Sequence, residues 1–431
     1  MSEEFQYQSG FGGYLQTEAL PNALPHGQNS PQKPAYGLYA EQLSGSAFTR
    51  PRSHNLRTWL YRILPSVSHL SFQPLKNMTL AQDSNQLYAI PNQLRWDPLA
   101  DPTQKQSFIA GCQTLIQNGN PLVQEGAAIH LYTANENMND DFFYSADGEW
   151  LIVPYLGRLT LKTEFGIITL APSEIAVIPR GVKFQVELID PIIKGYICEN
   201  FGAPFGLPDL GPIGSNGLAS PRDFLFPTAH FEDKTGTFNI ICKYANKLWQ
   251  AQTNHAPLDV VAWHGNYAPY KYDLRLFNTI NTVSFDHCDP SIFTVLTSAT
   301  ATPGLANLDF VIFPERWMVA EHTFRPPYYH RNIMSEYMGL IHGHYDAKNE
   351  GFLPGGGSLH NCMSSHGPDG DTAEKGMHET LLPIKQENTL AFMFESRLPW
   401  QITEFGMQTS ALQKSYQDCW QNIPKFFNQK S

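Results

Sequence analysis

Charge is scarce in this sequence: only 16% of its 431 residues are Asp, Glu, Lys or Arg. That low share, beside 42% hydrophobic and 13% aromatic residues, excludes a disordered chain and a charged coiled coil. What charge there is runs negative, with 29 basic against 40 acidic residues and a formal net charge of -11. No positive field draws such a chain to phosphate, so nucleic acid is not an expected partner. An anionic substrate, in turn, needs a local cation. Cysteine is sparse too: Cys112, Cys198, Cys242, Cys288, Cys362 and Cys419, with no CxxC pair. This is no disulfide framework and points to reduced, scattered thiols. No apolar run approaches the ~20 residues that span a bilayer. The opening Met1-Ser2-Glu3-Glu4 lacks the basic and apolar parts of a secretion signal. The expectation is a soluble, cytoplasmic protein with no membrane partner.

Glycine and proline, by contrast, are plentiful at 32 each, which favours short strands and many turns over long helices. Residues 1–75 are irregular but carry Tyr39, Phe48, Trp59 and Tyr61, so this segment is expected to wrap a folded body. Short apolar runs follow at Leu151–Pro154, Leu159–Leu161, Ile167–Leu170, Ile175–Ile178 and Phe184–Leu188. Turn residues separate them, as in a meander of half-buried antiparallel strands. Such a sheet must cover its apolar face and protect its edges, so a sandwich or barrel is expected. Residues 200–256 read as loop-rich. A second β-rich region runs from about 276 to 405, with strands at Val311–Phe313, Gly339–Ile341 and Leu390–Phe394. Leu412, Tyr416 and Trp420, four residues apart, suggest a short amphipathic helix over 411–422.

Both β regions resemble parts of the cupin signature, a small-barrel motif with metal ligands. In the first, Pro179 and Gly181 fit, but Phe184 stands at the ligand position. A phenyl ring has no donor atom, so this unit is expected to be metal-free. In the second, His330, Glu336 and Gly343 fit, while Asn332 replaces a histidine. The fold expectation is therefore mainly β: two cupin-like barrel or sandwich units, long irregular segments and a short C-terminal helix. The units divide as 1–275, metal-free with a wrapping N-terminal segment, and 276–431, catalytic.

Seven of the 15 histidines fall between residues 321 and 380, a density that suggests a metal or acid–base site. Three or four of them are expected to be ordinary surface or core residues. Residues 330, 332 and 336 share parity and would point to one face of a strand. A straight strand would hold 330 and 336 about 20 Å apart. Shared coordination therefore requires a bend near Ile333–Ser335. Arg331, of opposite parity, should face away. Two histidines and one carboxylate suit divalent iron, because they leave positions open for substrate and dioxygen. The third ligand is left open by these residues alone; the cupin spacing Gly357-x-x-His360 would supply His360.

Longer segments carry a more specific resemblance. FRPPYYHRNIMSEYMG (324–339), GHYDAKNEGFLPGGGSLHNCMSSHGPDG (343–370) and FDHCDPSIFTVL (285–296) are similar to the homogentisate 1,2-dioxygenase family, as are LYAEQLSGSAFTRPR (38–52) and GNYAPYKYDL (265–274). The resemblance runs from Ser9 to Trp420. It implies an Fe(II) enzyme that opens the ring of homogentisate with dioxygen to give 4-maleylacetoacetate, in tyrosine and phenylalanine breakdown. It implies iron ligands at His330, Glu336 and His366, so the family match favours His366 over His360. It further implies a proton acceptor at His287, substrate contacts at Tyr345 and His366, and a catalytic hydrogen-bonding residue at His360. It also implies a homo-hexamer built as a dimer of trimers. A gentisate-type cupin dioxygenase and a non-enzymatic two-barrel binding protein are the alternatives. Arg325 and Arg331 are near enough in sequence to hold the substrate acetate. Gly355-Gly-Gly357 would admit backbone close to the site or serve only as a flexible loop.

Overall fold

The computed structural model describes residues 5–76, 79–80, 87–345 and 351–428; part of the 343–370 motif, residues 346–350, lies outside them. The chain is mainly β, as its turn-rich composition predicts. Its sheets are open rather than closed into barrels, and the largest has nine strands. Two strands show why that sheet becomes a central layer. In Glu149–Leu156 the run Trp150, Leu151, Ile152 and Val153 is almost wholly buried. The paired strand Ile193–Asn200 is buried along its whole length. A strand covered on one face would alternate; a continuous apolar run needs cover on both. Of the strands expected as a half-buried antiparallel meander, Leu159–Thr163 does alternate and pairs antiparallel with its neighbours, whereas Glu149–Leu156 is buried on both faces.

On one face, Trp150 meets Phe143 and Phe184 of a seven-stranded sheet, with ring centroids 4.7 and 6.0 Å apart. Phe184, at the ligand position of the first cupin-like motif, is 1% exposed and part of that aromatic core. On the other face, Tyr196 packs against Phe392 of a six-stranded sheet at 4.8 Å. Its hydroxyl donates to the carbonyls of Gly356 (2.8 Å) and Leu340 (3.2 Å). Burial of such aromatics supplies most of the cohesion, roughly 25 cal/mol per Å² of apolar surface.

The N-terminal segment contributes strands to a sheet of the body. Leu15–Glu18, Tyr39–Ser44 and Arg57–Arg62 form a four-stranded sheet with Val260–Gly265. Arg62 locks it in place, its guanidinium reaching Asp259 (2.7 Å), Glu41 (2.8 Å) and Glu164 (3.1 Å). The region read as loop-rich contains a long hairpin, Thr235–Tyr244 with Lys247–His255. Its turn, Ala245-Asn246, has both residues at positive φ (53° and 57°). That geometry usually advertises itself as Asn-Gly, so the hairpin is poorly visible in sequence. The expected helix over 411–422 is only a 3-10 turn, Tyr416–Trp420. An unexpected helix, Gly370–His378, starts where the Asp369 side chain accepts from Thr372 N–H. Among the described residues, no helix is long and apolar enough to cross a membrane.

The six-stranded sheet positions the site. Ser335–His342 lies between Leu390–Ser396 and Gly357–His360, and Leu94–Trp96 forms the edge beyond. That edge strand comes from the first half of the chain. Conversely, Gln401–Ile402 closes one edge of the nine-stranded sheet.

Candidate metal centre and active site

Glu336 leads the central strand of this sheet, and His360 is its cross-strand partner. His330 lies outside the strand. The chain bends at Ile333 and Met334, and His330 pairs instead with His366 through two backbone hydrogen bonds of 3.0 and 3.1 Å. The bend removes the 20 Å problem. Donor atoms of His330, Glu336 and His366 lie within 4.8 Å of one another. His366 Nε2 is 3.2 Å from Glu336 Oε2, and His330 Nε2 is 3.9 Å from Oε1.

The imidazoles are oriented by backbone. Nδ1 of His330 donates to the Tyr328 carbonyl (2.7 Å), and Nδ1 of His366 to the Ser364 carbonyl (2.9 Å). A carbonyl only accepts, so each Nδ1 carries a proton, and in the neutral ring Nε2 is left as the lone-pair nitrogen that can bind a cation. His366 Nε2 is buried and, although 3.2 Å from Glu336 Oε2, makes no aligned hydrogen bond, as expected of a nitrogen shaped to bind a cation. Burial penalises the Glu336 carboxylate, but the His330, His360 and His366 imidazoles overcome it and hold its pKa well below the usual range. Asn332, at the altered cupin position, donates to Glu336 Oε1 at 2.5 Å, so it supports the carboxylate.

Two family models match the chain: homogentisate 1,2-dioxygenase N-terminal over residues 6–274 and homogentisate 1,2-dioxygenase C-terminal over residues 275–427. A homogentisate 1,2-dioxygenase of Pseudomonas fluorescens is 57% identical over 422 residues, 98% of this chain and 96% of that protein. The chain belongs to the homogentisate 1,2-dioxygenase family. Among solved structures, a cupin 2 conserved barrel domain protein from Leptotrichia buccalis shares 11% identity at a TM-score of 0.30, covering 68% of this chain and 92% of its own. A putative dioxygenase from Nostoc punctiforme shares 10% identity at 0.30, covering 75% and 83%.

A cavity of about 260 Å³ opens above the three residues. His287 and Tyr345 line it. His287 is half-buried, with Nε2 donating to the Phe324 carbonyl at 3.0 Å. It follows Asp286, whose φ is +66°. Tyr345 packs edge-on to Phe313 at 5.8 Å. His360 also borders the cavity, its ring stacked on His366 at 4.0 Å, with Nδ1 3.9 Å from Glu336 Oε2 and Nε2 2.9 Å from the Tyr416 hydroxyl. The structure thus brings His287, His330, Glu336, Tyr345, His360 and His366, the six residues the family resemblance implied, around one cavity. The other clustered histidines, His322, His342, His344 and His378, do not line the cavity.

Sequence reasoning gave no site role to Arg95, Arg316, Glu395 or Tyr416, all of which line the wall. Arg95 arrives from the edge strand of the first half, and no local motif marks it. Arg316 lines the cavity beside Arg325, whose guanidinium donates to the Ala320 and Leu382 carbonyls. Arg331 is exposed. Glu395 stands across from Glu336 on the neighbouring strand. Burial first, then the charges of Glu336, Asp309 and Asp289, push its carboxyl up to about 8. Tyr416, in the 3-10 turn, completes the wall.

Proposed function

We propose that this protein opens the aromatic ring of homogentisate, 2,5-dihydroxyphenylacetate, with dioxygen. Both oxygen atoms enter the product, 4-maleylacetoacetate, in tyrosine and phenylalanine breakdown. Family membership supports the reaction. The observation that carries it into this molecule is the convergence of His330, Glu336 and His366 donor atoms at one end of a cavity. These three residues would hold Fe(II), since two neutral nitrogens and one carboxylate suit that ion and leave positions for two reactants. The unpartnered, buried Nε2 of His366 fits that role. When bound, Fe(II) supplies the one-electron chemistry that lets triplet dioxygen react with a closed-shell ring.

The side chains supply the rest. His287 keeps a proton on Nε2 against the Phe324 carbonyl. Its Nδ1 is therefore the atom that accepts the proton of the substrate hydroxyl next to the acetate arm. Tyr345 and His360 hydrogen-bond the second ring hydroxyl and the reacting oxygens, and His366 borders the ring. Arg316 and Arg325 supply the positive potential that an acetate arm needs in an acidic protein.

The same proposal includes two units, 1–275 and 276–431, a cytoplasmic setting and a hexamer built as a dimer of trimers. Six free cysteines support the setting. Light scattering that gave a monomer would remove the hexamer. The test of function is parallel turnover of homogentisate and gentisate, which lacks the methylene of the acetate arm. Equimolar loss of dioxygen and homogentisate is expected, with gentisate much slower; preference for gentisate overturns the reading.

A further inference from the structure

Three imidazoles surround Glu336, yet they present different nitrogens to it. His330 and His366 turn Nε2 towards the carboxylate, whereas His360 turns Nδ1. The remaining nitrogen of His360, Nε2, lies 2.9 Å from the Tyr416 hydroxyl. Tyr416 is 5% exposed and held from behind. Arg95 lies over its ring at 4.2 Å and over Phe352 at 4.8 Å. Arg95 also donates through Nε to Ser358 Oγ at 3.1 Å and through a terminal nitrogen to the Tyr416 hydroxyl at 3.4 Å. Among the described residues, no carboxylate lies within ion-pair distance of Arg95.

The polarity of this chain is set from its Arg95 end, and at the other end His360 Nδ1 faces Glu336 Oε2 across 3.9 Å. A guanidinium only donates and an ionised carboxylate only accepts. The Tyr416 oxygen accepts from Arg95 and also bonds Ser358, and its own proton is within reach of His360 Nε2 at 2.9 Å. An imidazole nitrogen that accepts carries no proton, and in the neutral ring the proton then sits on Nδ1. We propose that Tyr416, set by Arg95 and Ser358, is a positioning residue that fixes the His360 tautomer so that an N–H, not a lone pair, faces Glu336 and the cavity. This rests on the cavity being the ring-opening site. It explains why His360, which has the cupin spacing of a ligand, serves as a donor to reacting oxygens while His330 and His366 serve as ligands. It also makes the site depend on two remote elements: an edge strand from the first half of the chain and the C-terminal turn.

Nitrogen-15 NMR of the full-length, iron-free chain labelled in histidine reads the tautomer directly. The His360 signals are identified by their loss in His360→Gln. The expected wild-type pattern has Nδ1 protonated and Nε2 bare, and Tyr416→Phe moves it towards the Nε2–H form. In the iron-loaded enzyme, Tyr416→Phe should lower kcat about 10- to 100-fold, the scale of misaligning one donor, with KM changed less than about twofold. The Tyr416→Phe/His360→Gln double variant should be no slower than His360→Gln, because both remove the same N–H. If Tyr416→Phe does not fold, Arg95→Lys should move the same signal in the same direction. An Nε2-protonated His360 in the wild type, multiplicative losses in the double variant, or an unchanged signal in the folded variants overturns the proposal. A wild-type protein that folds but does not cleave homogentisate overturns the functional reading instead, and the NMR result still decides the tautomer.

Discussion

His287 and His366 share one cavity but commit opposite ring nitrogens to backbone carbonyls, Nε2 in the first and Nδ1 in the second. In the proposed reaction, that difference fits His287 as a base and His366 as a ligand. His287→Phe is expected to retain iron while lowering kcat about 10²- to 10⁴-fold, the range for losing a general base. His366→Ala should lose iron and activity together. Iron content and product formation measured on the same samples check both, and exchanged outcomes would mean exchanged roles. A second residue-scale prediction concerns Glu149, buried in the central sheet, where desolvation pushes its carboxyl up to about 7 despite bonds from Phe205 N–H and Asn200. A carboxyl raised above its unfolded value of about 4.3 keeps its proton in the folded state. The unfolded chain therefore ionises first, and stability falls as pH rises from about 4.5 to about 7. Gln at 149 keeps the accepting oxygen and removes that penalty. The Tm advantage of Glu149→Gln should be near zero at pH 4 and grow up to pH 7; an advantage independent of pH contradicts this.

At the scale of elements, the triple glycine is a packing device. A Cβ on Gly357 would collide with the Tyr337 hydroxyl on the neighbouring strand, and one on Gly355, at φ +90°, with the Tyr155 ring. Gly357→Ala is therefore expected to cost about 1–3 kcal/mol by overpacking and to loosen the strand that carries His360. A lower Tm with weaker iron retention checks it. The sequence announced this site more clearly than its fold, for a physical reason. His330, Glu336 and His366 lie within one stretch whose chemistry demands unusual residue types, and the roughly 20 Å that a straight strand would put between 330 and 336 already required the bend found at Ile333–Met334. The Thr235–Tyr244 hairpin was hidden because its turn lacks glycine. The Tyr416–Trp420 turn imitates a helix because its spacing of four serves the cavity and core instead. Arg95 was invisible because local patterns carry no trace of a strand delivered from 260 positions away.

Across the whole molecule, the halves exchange strands. Leu94–Trp96 pairs with Gly357–His360, and Gln401–Ile402 pairs with Cys112–Asn120. Burial of the central sheet on both faces makes each half the cover of the other. A chain starting at residue 276 would lack Arg95 and the edge strand. It should neither fold cooperatively nor retain iron, as circular dichroism and metal analysis would show. The most direct test of the account is metal and dioxygen stoichiometry in the purified wild type beside Glu336→Gln, with homogentisate as substrate. The predicted result is about one iron(II) per chain and one dioxygen consumed per ring opened, with most of both lost in the variant. Full activity with zinc and no iron, or an unchanged Glu336→Gln enzyme, would contradict it.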